Sequence, residues 1–99
     1  MKKLSVAEVM LLKEIEKAGL PAPVRNYKYK PTGFRFNFAW PDKKIAAVHK
    51  KMFAVVMNSG TVKNMYENSW NGTFFSEDSI KLSMKFLRRE LEEAADAKR

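Results

Sequence analysis

One histidine and a run of lysines are the first residues in this chain whose chemistry could act on a ligand. His49 stands directly before Lys50 and Lys51 at the end of the stretch FRFNFAWPDKKIAAVHKK, Phe34 to Lys51. An imidazole can serve as a general base near neutral pH, and a lysine can hold a phosphate. Further cations precede them: Arg25, Lys28, Lys30, Arg35, Lys43 and Lys44, with Asp42 the single acid between Arg25 and Lys51. These eight cations account for almost all of the net charge of +8, and the rest of the chain is close to neutral. Lysines on exposed strands also guard a sheet against edge-to-edge pairing. Their concentration in one segment points instead to a surface that faces a polyanion, with Lys50 as one of its phosphate contacts.

Other chemistries are closed off by composition. There is no cysteine, so disulfides, thiolate catalysis and cysteine-ligated zinc are excluded, and one histidine leaves almost no ligands for a structural zinc site. No apolar run approaches the roughly 20 residues of a membrane span. The opening MKKLSVAEVMLLKEIEK starts like a signal peptide, but Glu8, Lys13, Glu14 and Glu16 interrupt its apolar part. The expectation is a soluble cytoplasmic protein without cofactor, its 99 residues forming one domain, 1–99, with a core that needs no staples.

The elements that must position these residues follow from spacing. Phe34, Phe36, Phe38 and Trp40 alternate with Arg35, Asn37 and Ala39, which predicts a strand with its aromatic row on one buried face. Pro41-Asp42-Lys43 supplies a turn, and Ile45 to His49 a second strand. Strand parity sets Ala46, Val48 and Lys50 on one face and Ile45, Ala47 and His49 on the other. Normal hairpin pairing would then bring Asn37, Val48 and Lys50 together opposite the aromatic row, leaving His49 as a half-buried structural residue. Upstream, Ser5-Val6-Ala7-Glu8 forms a capping box for a helix over Val6–Ala18, with Val9, Met10, Leu12 and Ile15 as its apolar stripe and Gly19 at its end. Val24 to Lys30 alternates tyrosines with cations as a first strand, closed by Pro31-Thr32-Gly33. Met52 to Met57, MFAVVM, reads as a buried strand or an extension of the preceding one. Thr61 to Trp70 reads as a short helix with Val62, Met65 and Tyr66 on one side, followed by a strand that Gly72 weakens. Ser76 caps a last helix with Ile80, Met84, Leu87 and Leu91 buried, and 94–99 is expected to fray.

Leu20 to Val48, LPAPVRNYKYKPTGFRFNFAWPDKKIAAV, resembles the PD-(D/E)xK or restriction-endonuclease-like superfamily. The likeness is to small phage and prophage endonucleases related to very-short-patch repair enzymes, whose pattern is roughly LPxPxxEYxFxPxRxWRFDFAWPxxKLAxE. A weaker likeness continues through Asn64 and Trp70, which match KxNxxxxxGW with Lys63 displaced by one. The resemblance implies an α/β fold, a mixed sheet flanked by helices in the order α-β-β-β-α-β-α. It also implies that Asn37 occupies the position of the family's metal-binding Asp, Val48 that of its Glu, and Asn26 that of an upstream Glu, with Lys50 alone surviving from Glu-x-Lys. Such a nuclease needs carboxylates to hold a divalent ion that activates water and phosphate. Asn37 offers only a neutral oxygen, Val48 offers none, and Lys50 would repel the ion.

Three functions fit this combination. One is a catalytically inactive nuclease-like protein that binds DNA or RNA, or a nucleoprotein complex, through Arg25, Lys28, Lys30, Arg35, Lys43, Lys44, Lys50 and Lys51. Another is a phage-encoded inhibitor of a host defence nuclease, anti-CRISPR-like, acting by protein contact. The third is a metal-dependent endonuclease with a displaced site using Asp42 or Glu67.

Overall fold

The computed structural model describes residues 4–96, with side chains through residue 92. Its element order is α1 (Val6–Lys17), β1 (Val24–Tyr29), β2 (Phe34–Trp40), β3 (Ile45–His49), α2 (Phe53–Asn58), α3 (Thr61–Glu67), β4 (Asn71–Phe75) and α4 (Ile80–Asp96). The sheet runs β1-β2-β3-β4, antiparallel through the first three strands and parallel between β3 and β4. This mixed, helix-flanked α/β arrangement is consistent with the expected restriction-endonuclease-like layout, with one short helix, α2, added after β3.

Both faces of the sheet are covered, which divides the core in two. On one side α1 and α4 bury Leu11, Ile15, Leu87 and Leu91 against Phe38, Trp40, Ile45, Ala47 and Phe75. On the other, α2 and α3 bury Val56 and Met65 against Tyr29, Phe34, Phe36, Ala39, Ala46 and Val48. The aromatic row of β2 therefore does not share one face, as alternation alone predicts. Phe34 and Phe36 belong to one layer and Phe38 and Trp40 to the other. Strand parity is lost at Asn37, and Asn26, the β1 residue that would oppose it, has a φ of +53° and is missing from the pairing between Arg25↔Phe38 and Tyr27↔Phe36. A sheet wetted on one side keeps strict alternation, whereas one sandwiched between helices needs large side chains on both faces.

Helix α1 begins at the expected capping box. The Ser5 N–H donates to Glu8 Oε1 at 2.9 Å and the Glu8 N–H to Ser5 Oγ at 3.2 Å. Gly19, just past its end, has a φ of +69°, which favours glycine there. Its buried stripe is Ala7, Leu11 and Ile15, spaced at i, i+4 and i+8, while Val9 and Met10 are exposed. Trp40 ties the following segment to the sheet by donating from Nε1 to the Pro21 carbonyl at 2.7 Å.

The expected strand over Met52–Met57 is a helix. Chain direction changes at His49, whose Nδ1 accepts from the Lys51 N–H at 3.1 Å and caps a 3-10 turn over Lys50–Met52 that leads into α2. Only Val56 of α2 is buried, and Phe53, Val55 and Met57 remain half exposed. In α3, Met65 is buried and Val62 half-buried, but Tyr66 points away from the core and is 84% exposed. Gly72 in β4 lies so close to β3 that a Cβ there would stand 3.3 Å from the Ala46 carbonyl oxygen. Ser76 pairs with Ser79 in a capping box ahead of α4, whose buried stripe is the expected Ile80, Met84, Leu87 and Leu91. The helix continues to Asp96 where the sequence suggested a tail from 94, and residues 97–99 lie outside those described.

The reassigned stripe of α1 has a measurable consequence. Leu11→Ala is expected to cost about 2–5 kcal/mol in urea unfolding, whereas Met10→Ala should stay within about 1 kcal/mol of the parent. Equal losses would put the buried face where the sequence first suggested.

Candidate nucleic-acid interface

Asn37 sits where β2 and β3 part company. Their pairing extends from Trp40↔Ile45 to Phe38↔Ala47 and stops. Beyond that point the Asn37 side chain replaces the ladder, its Oδ1 accepting from the His49 backbone N–H at 2.8 Å. Its Nδ2 donates across to Glu8 Oε2 on α1 at 3.3 Å. One amide thus joins two strands and a helix, using its acceptor for one and its donor for the other.

Glu8 was legible in the sequence only as a capping residue, and its second oxygen facing Asn37 was not. Partial burial alone would push the Glu8 carboxyl up. The Ser5 backbone N–H, the Asn37 amide, the Ser5 hydroxyl and the nearby His49 imidazole outweigh that and hold it below its ordinary value. The His49 ring packs on Phe75 with centroids 5.4 Å apart, on the α1–α4 side, consistent with a half-buried structural histidine. Its Nδ1 is occupied by the Lys51 N–H.

Asn37, Val48 and Lys50 are not brought to one face. Val48 is 4% exposed and packs in the aromatic layer with Phe36 and Val56. Asn37 faces Glu8 on the opposite side, and Lys50 has left the strand for the 3-10 turn. Asn26 forms the left-handed kink opposite, its carbonyl accepting from the Arg35 guanidinium at 3.2 Å. Asp42 lies in the β2–β3 turn paired with Lys43 at 3.4 Å, and Glu67 ends α3. Among the described residues no three His, Asp or Glu side chains cluster as a metal would require.

The eight cations fall into two groups. Lys28 and Arg35 stand directly opposite each other in the β1–β2 register, both exposed. Parity places them on the face away from Tyr27, Tyr29, Phe34 and Phe36, the side that carries α1. Lys30 follows at the β1–β2 turn, and Lys50 and Lys51, both exposed, leave the end of β3 nearest Arg35. Lys43 and Lys44 occupy the other end of β3, about 16 Å away at 3.3 Å per residue. Both are held by protein oxygens: Lys43 by Asp42, and Lys44 by the Asn68 carbonyl at 3.1 Å. Arg25, paired with Phe38, is exposed between the groups. The hairpin is therefore not one continuous basic jaw, and its freer cations gather at the Lys28–Arg35 end. No helix among the described residues is long and apolar enough to cross a membrane.

Compared with family models, with curated proteins and with solved structures, the chain has no match.

The Asn37 bridge gives a pH test with a definite sign. Because Glu8 titrates below its unfolded value, its stabilisation is present above the ordinary carboxylate range and is lost as pH falls through the lowered folded value. Asn37→Asp removes the donor and sets a second carboxylate against Glu8, which raises the pair and reverses the slope. Urea unfolding should show Asn37→Asp about 1–3 kcal/mol less stable at neutral pH, with the gap closing in acid. A gap independent of pH would mean that the two side chains do not interact.

Proposed function

We propose that the chain is a catalytically inactive nuclease-like protein that acts by binding DNA or RNA, alone or in a nucleoprotein complex, through the basic side of its sheet. The observation that carries this reading is Lys28 opposite Arg35. Like charges directly across a strand pair are destabilising, by roughly 0.2–1 kcal/mol. A polyanion lying over β1 and β2 offsets that repulsion by attracting both cations and releases its own counterions. Support comes from the composition as well, since these cations belong to a segment with one acid in 27 residues. The lack of activity is inferred from Asn37 and Val48 at the positions where the resemblance expects metal-binding acids.

Lys28→Glu separates stability from binding. Facing Arg35, the new carboxylate should stabilise the free protein by about 0.2–1 kcal/mol. The same change should weaken binding to DNA or RNA and make its salt dependence shallower by about one to two ions. Gel shifts or anisotropy across a salt series, with chemical denaturation in parallel, measure both. No binding of any nucleic acid at low salt defeats the proposal.

One observation favours a second reading, an inhibitor of a host defence nuclease acting by protein contact. Phe53 and Met57, one turn apart on α2, are half exposed, as is Val55 on another side of the helix, and exposed apolar side chains grouped on one short element are what a protein partner could cover. Pull-down from host lysate with and without nuclease treatment separates the readings: a partner that survives the treatment is held by protein, and one that is lost was bridged by nucleic acid.

A further inference from the structure

The basic sheet face leaves Tyr66 without a role. It is the most exposed large apolar side chain among the described residues, at 84%, and it borders a cavity of about 190 Å³ between α3 and β4. The floor is apolar, formed by Val48, Val56 and Met65, while Trp70 lines the wall and Asn71 and Thr73 bring polar groups to it. Trp70 is fixed from beneath: its ring lies 5.6 Å from Phe36, 5.5 Å from Tyr29 and 6.0 Å from Tyr27, centroid to centroid. An indole held by three rings is preorganised, and an exposed tyrosine at the rim can rest against whatever binds there.

Charge narrows what that ligand is. Lys44 and Lys63 stand at this end of the sheet and on α3, and Glu67, which follows Tyr66, is the acid beside them. Lys44 is tied to this end of the sheet, its carbonyl accepting the Asn71 N–H at 2.9 Å and its Nζ reaching the Asn68 carbonyl. Lys63 precedes Tyr66 by one turn of α3. A site with aromatic walls, a few amide and hydroxyl groups, and two lysines against one acid beside it complements a flat heterocycle on a negatively charged chain. Bases paired and stacked in a duplex do not offer their faces. We propose that the Tyr66–Trp70 cavity takes an unpaired nucleobase, so that the nucleic acid this protein prefers is single-stranded. This inference rests on the nucleic-acid reading above and adds the strand type and the second contact surface.

Trp70 is half-buried while Trp40 is 2% exposed, so quenching of intrinsic fluorescence reports on the cavity. The test titrates the protein with a short oligo(dT), with a duplex of equal length, and with an acidic amphipathic peptide. Tyr66→Ala serves as the variant, since so exposed a side chain contributes little to folding. The expected result is quenching by oligo(dT), tighter binding of the single strand than of the duplex, and a loss of roughly 5- to 100-fold in single-strand affinity for Tyr66→Ala with duplex affinity unchanged. Equal affinities that ignore Tyr66→Ala would overturn the cavity assignment and leave the nucleic-acid reading standing. Failure to bind either nucleic acid overturns both. Quenching by the peptide and not by oligo(dT) makes the cavity a protein site and overturns the inference.

Discussion

A single carboxamide holds the architecture at its weakest point. Four strands sandwiched between two helical layers send side chains to both, and an unbroken pleat would put Phe34, Phe36, Phe38 and Trp40 all on one face. Here the change of parity falls at Asn37, between Phe36 and Phe38. At such a point the ladder fails and backbone groups lose their partners, which is costly in a buried setting. The Asn37 side chain supplies the missing acceptor to the His49 N–H and uses its amide to fasten the junction to Glu8. Glu8 in turn caps the helix that covers this face. Sheet, helix terminus and change of face are therefore coupled through one residue.

The rest of the molecule reads as a consequence of that junction. Above it, Phe38 and Trp40 complete the layer under α1 and α4; below it, Phe34 and Phe36 join Tyr27, Tyr29 and Trp70 in an aromatic cluster. Where β3 diverges from β2, His49 ends the strand and caps the turn into α2 instead of letting the apolar run continue as sheet. The divergence also leaves Lys50 and Lys51 exposed near Arg35, so the gathering of free cations at one end follows from the same break.

Local signals were the legible ones. The Ser5–Glu8 capping box, the turn at Gly33, the tyrosine-lysine alternation of β1 and the stripe of α4 each depend on neighbours a few residues apart, and each was readable from spacing. What spacing does not carry is which layer a side chain enters. Met52–Met57 looked like buried strand because it is uniformly apolar, yet its fate was set by a histidine cap and by β4 occupying the place beside β3. Likewise Tyr66 fitted a helical stripe whose far side has nothing to cover it. The Glu8–Asn37 contact joins residues 29 apart and had no sequence signal beyond two polar side chains.

The same geometry bears on what positions 37 and 48 can hold. An aspartate at position 37 could accept from the His49 N–H but could not donate to Glu8, and its charge would oppose a carboxylate about one hydrogen bond away. An amide is the side chain of that size that satisfies both partners at once. Position 48 is governed by something different. Val48 is enclosed with Phe36, Val56 and Met65 in the α2–α3 layer, and a carboxylate there would lose its hydration without a cation or a donor to replace it. The two positions serve different faces of the sheet, so acids at both would not be brought together. Bringing side chains at 37 and 48 to one face would require the parity change between Phe36 and Phe38 to be undone.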